Sequence, residues 1–119
     1  IASCLVGSEM CIRDSASTGG VVSNSSSGWG PWTGRAAIVA GLQAVRDGQT
    51  DRRRHVITTP MFLSLSSDRA VLKALLSCYS IPPGEQPRLA TTGEYLAELS
   101  RVDGTWRIDR LDAVLDGEF

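Results

Sequence analysis

Cysteine, histidine and long apolar runs are all scarce in this chain. Of its three cysteines, Cys78 alone lies beyond the first fifteen residues, so the sequence predicts no disulfide framework. No apolar run approaches the ~18 residues of a membrane-spanning helix, and His55 is the single histidine. The sequence contains no cluster of metal ligands, glycine-rich phosphate loop or nucleophilic-serine motif. We therefore expect no metal and no other cofactor.

Positive and negative side chains are nearly balanced in this chain. The 119 residues carry 12 basic and 13 acidic side chains, which gives a net charge of -1. A balanced domain has no general electrostatic attraction for nucleic acid. Lysine is present only at Lys73, and such a preference for arginine is typical of a GC-rich genome. We expect a cytoplasmic bacterial protein with neither a nucleic-acid nor a membrane partner.

The segment 1–15 is not predicted to belong to the folded domain. Residues 4–15 match the translation of a transposase adapter used in DNA library preparation, codon by codon, and the chain begins with Ile1 rather than methionine. A signal peptide would need an unbroken apolar run, which Glu9 interrupts. We therefore expect residues 1–15 to be non-native and residues 16–119 to form one domain, truncated at its beginning, with a modest core.

One helix is predicted from Arg35 to Asp47. Alanines favour it, Thr33 is the candidate N-cap, and Gly48 is expected to end it at the C′ position. Its core-facing side chains, spaced by three or four residues, are Ile38, Leu42 and Val45. Upstream of the helix, the Gly- and Ser-rich stretch suggests a short strand at 21–24 and a rigid aromatic connector at 29–32.

Four strands are predicted after the helix, because β-branched and apolar residues alternate with polar ones. Ser66-Ser67-Asp68 and Asp103-Gly104 are typical of tight hairpins, and the proline-rich 82–87 forms the remaining connection. The predicted fold is α+β, a curved antiparallel four-stranded meander forming a cone with one preceding helix. The strands are expected at 53–64, 69–81, 89–102 and 106–115.

Alternation also predicts which side chains face inward. In the last strand the pattern changes phase, because Trp106 and Ile108 are out of step with Leu111. A β-bulge near Asp109-Arg110 explains that change. The inward sets of the first three strands are predicted to be His55, Ile57, Thr59, Met61 and Leu63; Leu72, Ala74, Leu76, Cys78 and Ser80; and Leu89, Thr91, Gly93, Tyr95, Ala97 and Leu99.

Three short motifs in this order resemble the SnoaL-like branch of the nuclear transport factor 2-like superfamily. They are G-R-A-A-I at Gly34–Ile38, R-R-H-V-I at Arg53–Ile57 and G-T-W-R-I at Gly104–Ile108. The resemblance covers about residues 29–117 and implies a cone with a pocket between sheet and helices, commonly in a homodimer. Members include polyketide cyclases, dehydratases, epoxide hydrolases, ketosteroid isomerases and non-catalytic binders. They usually begin with two covering helices, which we expect to be missing here.

His55 occupies the position where dehydratase-like members of the family place a catalytic base. An imidazole titrates near ~6.5 and can remove a proton next to a carbonyl at neutral pH. The second histidine of the dehydratase pattern has no counterpart here, since about Ser80 stands at that position. The alternative is a strand-end histidine that is hydrogen-bonded at the pocket rim.

The remaining candidates are predicted to line a substrate pocket. Tyr95 could orient a substrate carbonyl or serve as a core aromatic, and the run Arg52–Arg54 is interpreted as a solvated corner. The predicted substrate-binding side chains are Tyr95, Met61, Trp29, Leu76, Cys78 and Arg110.

The residues and the resemblance favour two functions, and they favour a third less. The first is a cofactor-free lyase, isomerase or cyclase that acts on a hydrophobic carbonyl compound with His55 as general acid/base. The second is a non-catalytic module that binds a hydrophobic small molecule in the same cone. The third is a structural domain like the β subunit of ring-hydroxylating dioxygenases.

Overall fold

The computed structural model describes residues 16–24 and 29–117. The segment 1–15, which resembles a translated adapter, lies outside the described residues. The described chain forms one helix and six strands in a single curved sheet, in the spatial order β2-β1-β6-β5-β4-β3. The elements are β1 Ala16–Asn24, β2 Trp29–Thr33, α1 Arg35–Asp47, β3 Arg52–Leu65, β4 Arg69–Ile81, β5 Arg88–Val102 and β6 Thr105–Leu115.

The four strands after the helix form the predicted antiparallel meander, and their bounds agree with the prediction to within one residue. Both hairpins are present. The amide of Ser66 donates to the carbonyl of Arg69 across 2.8 Å. Asp103 and Gly104 have φ angles of 52° and 75°, as a two-residue turn with the right-handed twist of a hairpin requires.

The predicted count of four strands is wrong, because the Gly- and Ser-rich stretch adds two more. β1 pairs in parallel with β6, and β2 pairs antiparallel with β1. The segment 29–32, expected to be a connector, belongs to β2. Pro31 is compatible with that position because β2 is an edge strand, where a missing amide donor breaks no ladder hydrogen bond on the open side.

The helix α1 has the predicted bounds and contacts β1 and β2. Ile38 and Leu42 are buried, and Trp32 packs against the same cluster. The predicted N-cap, Thr33, is wrong: Gly34 holds that position with a φ of 86° and makes no side-chain cap hydrogen bond. Gly48 ends the helix as predicted, although in a right-handed conformation. Across the described ranges, no helix has the length and apolar character of a membrane span.

The core lies on the inner face of the sheet, where side chains from several strands align in rows across it. One row joins Val22, Leu111, Ala97 and Leu72, and the next toward the other end joins Ala113, Tyr95 and Ala74. Each of these side chains is at most 7% exposed. Packing against them from outside the sheet are Ile38 and Leu42 of α1.

The phase change in β6 is a β-bulge, as predicted. Glu98 pairs with Arg110 and Leu99 with Ile108, so Asp109 is the additional residue. β3 contains two more such shifts against β4, one at 59–60 and one at Leu63. All three lie within the strands, where such an insertion bends the strand and increases its twist.

The bulge in β3 corrects the predicted facing of Met61. Directly paired residues of antiparallel strands point to the same side of the sheet. Beyond the bulge, Phe62 pairs with the buried Leu72 and Met61 pairs with Lys73. Phe62 is therefore the residue on the inner face. A similar irregularity in β5 pairs Leu89 with Tyr79, so Leu89, 54% exposed, also faces outward.

Gly93 of β5 is expected to be required for the close approach of β5 and β6. A β-carbon at this position would overlap the carbonyl oxygen of Val114 and lie 2.8 Å from the Cα of Leu115. Both groups are backbone, so the strands themselves would have to separate. Gly93→Ala should lower the free energy of unfolding by about 1–3 kcal/mol, the usual cost of overpacking, as measured by urea denaturation.

Gly19→Ala is the matched control, because Gly19 lies in β1 and a β-carbon there would meet nothing within 4 Å. This control should leave stability unchanged or raise it, since alanine restricts the unfolded chain more than glycine does. Equal stability of the two variants would contradict the close approach.

Candidate functional site

The inner face of the sheet becomes polar at one end. Next to the apolar row of Leu115, Gly93, Leu76 and Ile57 lies a row of Thr91, Cys78 and His55, followed by Ser80 and Arg53. Cys78 and Ser80 are 0% and 3% exposed. A buried polar side chain is costly unless it is hydrogen-bonded, so the contacts made within this polar end determine whether it can be stable.

His55 and Tyr95 meet across the sheet. The Tyr95 hydroxyl oxygen lies 3.4 Å from Nδ1 of His55, although the two residues are on β3 and β5 with β4 between them. Tyr95 pairs with Ala74 and His55 pairs with Cys78, four residues further along β4. On a flat sheet these side chains would be out of reach, so the inward curvature of the sheet brings them together.

Burial keeps both partners of this pair uncharged. It is the main cause that lowers the pKa of His55, and the positive charge of Arg53 acts in the same direction. Burial also raises the pKa of Tyr95. A neutral imidazole has one donor and one acceptor nitrogen. When Nδ1 carries the proton and donates to the Tyr95 hydroxyl oxygen, Nε2 is therefore the acceptor nitrogen.

A second polar group lies beside the pair. Nε of Arg53 donates to Asp51 across 2.8 Å, and the Ser80 hydroxyl also donates to the Asp51 carboxylate. The Arg53 hydrogen bond, followed by the Ser80 one, lowers the pKa of Asp51. Burial raises the pKa of the Cys78 thiol, and the neighbouring Arg53 guanidinium acts in the opposite direction as the smaller influence.

The interpretation of Arg52–Arg54 as a solvated corner is wrong for Arg53, and the pattern analysis therefore does not identify this group. Arg52 and Arg54 are exposed, whereas Arg53 is turned to the inner face. Strand alternation is the signal that identifies Arg53, since residues two apart on a strand share a face. It predicts Arg53 on the same face as His55.

The structure brings some of the predicted site residues together and leaves others apart. His55 and Tyr95 are in contact, Cys78 pairs directly with His55, and Leu76 lies in the adjacent row. Met61 lies beyond the β3 bulge on the outer side and is 51% exposed. Arg110 is exposed on β6. Trp29 begins β2 and pairs with Asn24, and its side chain lies outside the described part.

The arrangement offers acid/base chemistry and an ion pair. Within the described part of the chain, no three His, Cys, Asp or Glu side chains come together as metal ligands. What the inner face presents is an imidazole–phenol pair with apolar side chains on one side and the Asp51–Arg53 pair on the other.

A family model and several solved structures match this chain. The model, described as a SnoaL-like domain, matches residues 17–112. Rv3472 of Mycobacterium tuberculosis, a protein of unknown function, is 21% identical with a TM-score of 0.74 over 92% of this chain. The match covers 61% of that protein, so this chain spans less than two thirds of its length. No curated protein matches the sequence.

Two further structures share the fold. A protein from Catenulispora acidiphila, in complex with S-DNPA, is 19% identical with a TM-score of 0.77, over 91% of this chain and 78% of that one. The β subunit of a putative aromatic-ring-hydroxylating dioxygenase from Novosphingobium aromaticivorans is 14% identical with a TM-score of 0.70, over 90% and 75%. At these identities the similarity establishes the fold alone.

The lowered pKa of His55 predicts an acid-dependent loss of stability. The imidazole is harder to protonate in the folded state than in the unfolded chain, where it titrates near ~6.5. Its full contribution to the free energy of unfolding is therefore present above pH ~6.5. The contribution is lost as the pH falls through the folded pKa. We expect the Tm to fall between pH 7.5 and pH 5, measured by circular dichroism.

His55→Asn is the control for this effect, since asparagine keeps a polar side chain that does not titrate. The Tm of this variant should fall less than that of the wild type between pH 7.5 and pH 5. An equal loss in the two proteins would assign the pH dependence to other groups.

Proposed function

This chain belongs to the SnoaL-like domain family, and from that membership and the site geometry we propose that it is a cofactor-free lyase, isomerase or cyclase. The proposed substrate is a hydrophobic small molecule with a carbonyl group, bound against the inner face of the sheet. The observation that carries the proposal is the contact between His55 and Tyr95 at the boundary between the apolar and polar rows.

His55 is the proposed general acid/base. A neutral imidazole is the form that can accept a proton, and burial favours that form. It would remove a proton from the carbon next to the carbonyl and return it to another atom of the same molecule, or to a departing hydroxyl that leaves as water. Either course regenerates the imidazole, so no external oxidant or reductant is needed.

Tyr95 is proposed to position the imidazole. Its hydroxyl lies on Nδ1 of His55, and a tyrosine whose pKa is raised by burial keeps its proton at neutral pH. In the proposed tautomer Nδ1 donates to the hydroxyl oxygen, which fixes the ring orientation and leaves Nε2 as the nitrogen that accepts the substrate proton. This role differs from the sequence-based hypothesis, in which Tyr95 orients the substrate carbonyl itself.

The substrate class follows from the side chains around the pair. Leu76 and Ile57 adjoin His55 on one side, and burying an apolar ring against such residues contributes about 25 cal/mol per Å² removed from water. The Catenulispora acidiphila relative was solved with a small molecule bound, which supports ligand binding by this fold. The dioxygenase β subunit relative supports the alternative of a structural role.

Proton exchange tests the acid/base role without knowledge of the product. We expect the 119-residue protein to accelerate deuterium uptake next to the carbonyl of aryl-fused cyclic ketones such as 2-tetralone, followed by NMR in D₂O. His55→Gln should reduce the protein-catalysed rate by about 10²–10⁴-fold, the usual contribution of a general base.

Arg54→Gln is the matched control, because Arg54 is the exposed neighbour on the same strand, and it should exchange like the wild type. Saturable ketone binding with exchange that His55→Gln does not slow would replace the enzyme with a non-catalytic binding module. Absence of both binding and exchange would favour the structural role.

Tyr95→Phe tests the positioning role separately. The change removes only the hydroxyl from a buried ring, so the fold should persist while the imidazole loses its partner on Nδ1. We expect the exchange rate to fall about tenfold, in line with the loss of one hydrogen bond to a buried group, with ketone affinity nearly unchanged. A rate equal to that of the wild type would show that the hydroxyl does not orient His55.

A further inference from the structure

Arg53 lies on the inner face of β3, two residues before His55. Its neighbours Arg52 and Arg54 are exposed, while the side chain of Arg53 is 21% exposed and that of Asp51 10%. Turning a permanently charged guanidinium toward a partly buried face is costly unless it is paired. A solvated corner therefore does not explain why the Arg53 side chain is partly buried.

The guanidinium is held in place by defined contacts. Asp51 accepts from its Nε at 2.8 Å, and Ser80, the residue that pairs with Arg53 across the β3–β4 ladder, donates to the same carboxylate. Ser80 is 3% exposed, so this anchor is part of the sheet interior. A contact with the Cys78 thiol adds a link to the residue that pairs with His55.

The charge of Arg53 acts on His55 at short range. Side chains two residues apart on a strand stand on the same face at a separation of about 7 Å, and partial burial weakens screening by solvent and salt. The titratable described groups facing His55 are Asp51 just before β3, Arg53 from β3, Cys78 from β4 and Tyr95 from β5. Burial keeps Cys78 and Tyr95 in their neutral forms, so Arg53 and Asp51 are the charged members of this group.

We propose that Arg53, anchored by Asp51 and Ser80, is a positioning residue that holds His55 in its proton-accepting form by placing a fixed positive charge beside the imidazole. The chemical meaning of this role rests on the proposed function, whereas the electrostatic effect itself rests on the geometry of the four residues. The anchor matters because a mobile arginine would extend into solvent, where its charge would be screened.

The single histidine makes the test direct, because NMR of the labelled imidazole reports one titration without overlap. Arg53→Met removes the charge while keeping a long side chain, and should raise the titration midpoint of His55. Arg53→Lys keeps the charge and should restore the midpoint most of the way toward the wild type. Arg54→Met removes the same charge from the exposed neighbour and should leave the midpoint nearly unchanged.

A midpoint in Arg53→Met that equals that of Arg54→Met would overturn the proposal. A midpoint in Arg53→Lys that follows Arg53→Met would overturn it too, since the charge would not be the cause. If Arg53→Met does not fold, Arg53→Gln provides the second test. Glutamine removes the charge but keeps a polar side chain, so the midpoint of His55 should rise, and a midpoint equal to that of Arg54→Met would refute the electrostatic role.

The titration is independent of catalysis, so the two proposals can fail separately. If the wild type does not exchange ketone protons but the midpoints shift as expected, the proposed function fails and the role of Arg53 on His55 stands. If exchange depends on His55 but the Arg53 variants titrate like the wild type, the proposed function stands and Arg53 has no electrostatic role.

Discussion

His55 and Tyr95 are on strands that are separated by a third, and their contact depends on the inward curvature of the sheet. Along β4 their paired positions are four residues apart, a spacing of about 13 Å in an extended strand. Bulges in β3 and β6 supply bending within long strands. The same curvature encloses the apolar rows, so the core and the candidate site depend on one geometric property.

The core and the site differ in how burial is compensated. Rows that contain Leu72, Ala97 and Leu111 are stabilised by removal of apolar surface from water. At the other end of the inner face, polar groups lose hydration and regain hydrogen bonds from one another, as Asp51 does from Arg53 and Ser80. Such networks contribute little net stability but favour one arrangement over others. Those properties suit a site that must hold an imidazole in a fixed orientation.

The sequence predicts the meander well because its strands alternate, and it predicts the bulge at Asp109 because the apolar pattern visibly changes phase there. The bulge at 59–60 leaves no such mark. The residues beyond it, Met61 to Leu65, are nearly all apolar, so either face fits the pattern and the predicted inward facing of Met61 is wrong. β1 was underestimated because its glycines and serines are stabilised by pairing with β6, a contact distant in sequence that propensity does not register.

The contact of Tyr95 with His55 could not be predicted either, because it depends on curvature and not on local pattern. β3 is an edge strand that pairs only with β4 among the described strands, and a slip of one residue would turn His55 and Arg53 outward together. The side-chain contacts of Asp51 with Ser80 and of His55 with Tyr95 oppose such a slip, since each joins the chain at or just before β3 to another strand. The residues of the proposed site therefore also help to fix the register on which its proposed chemistry depends.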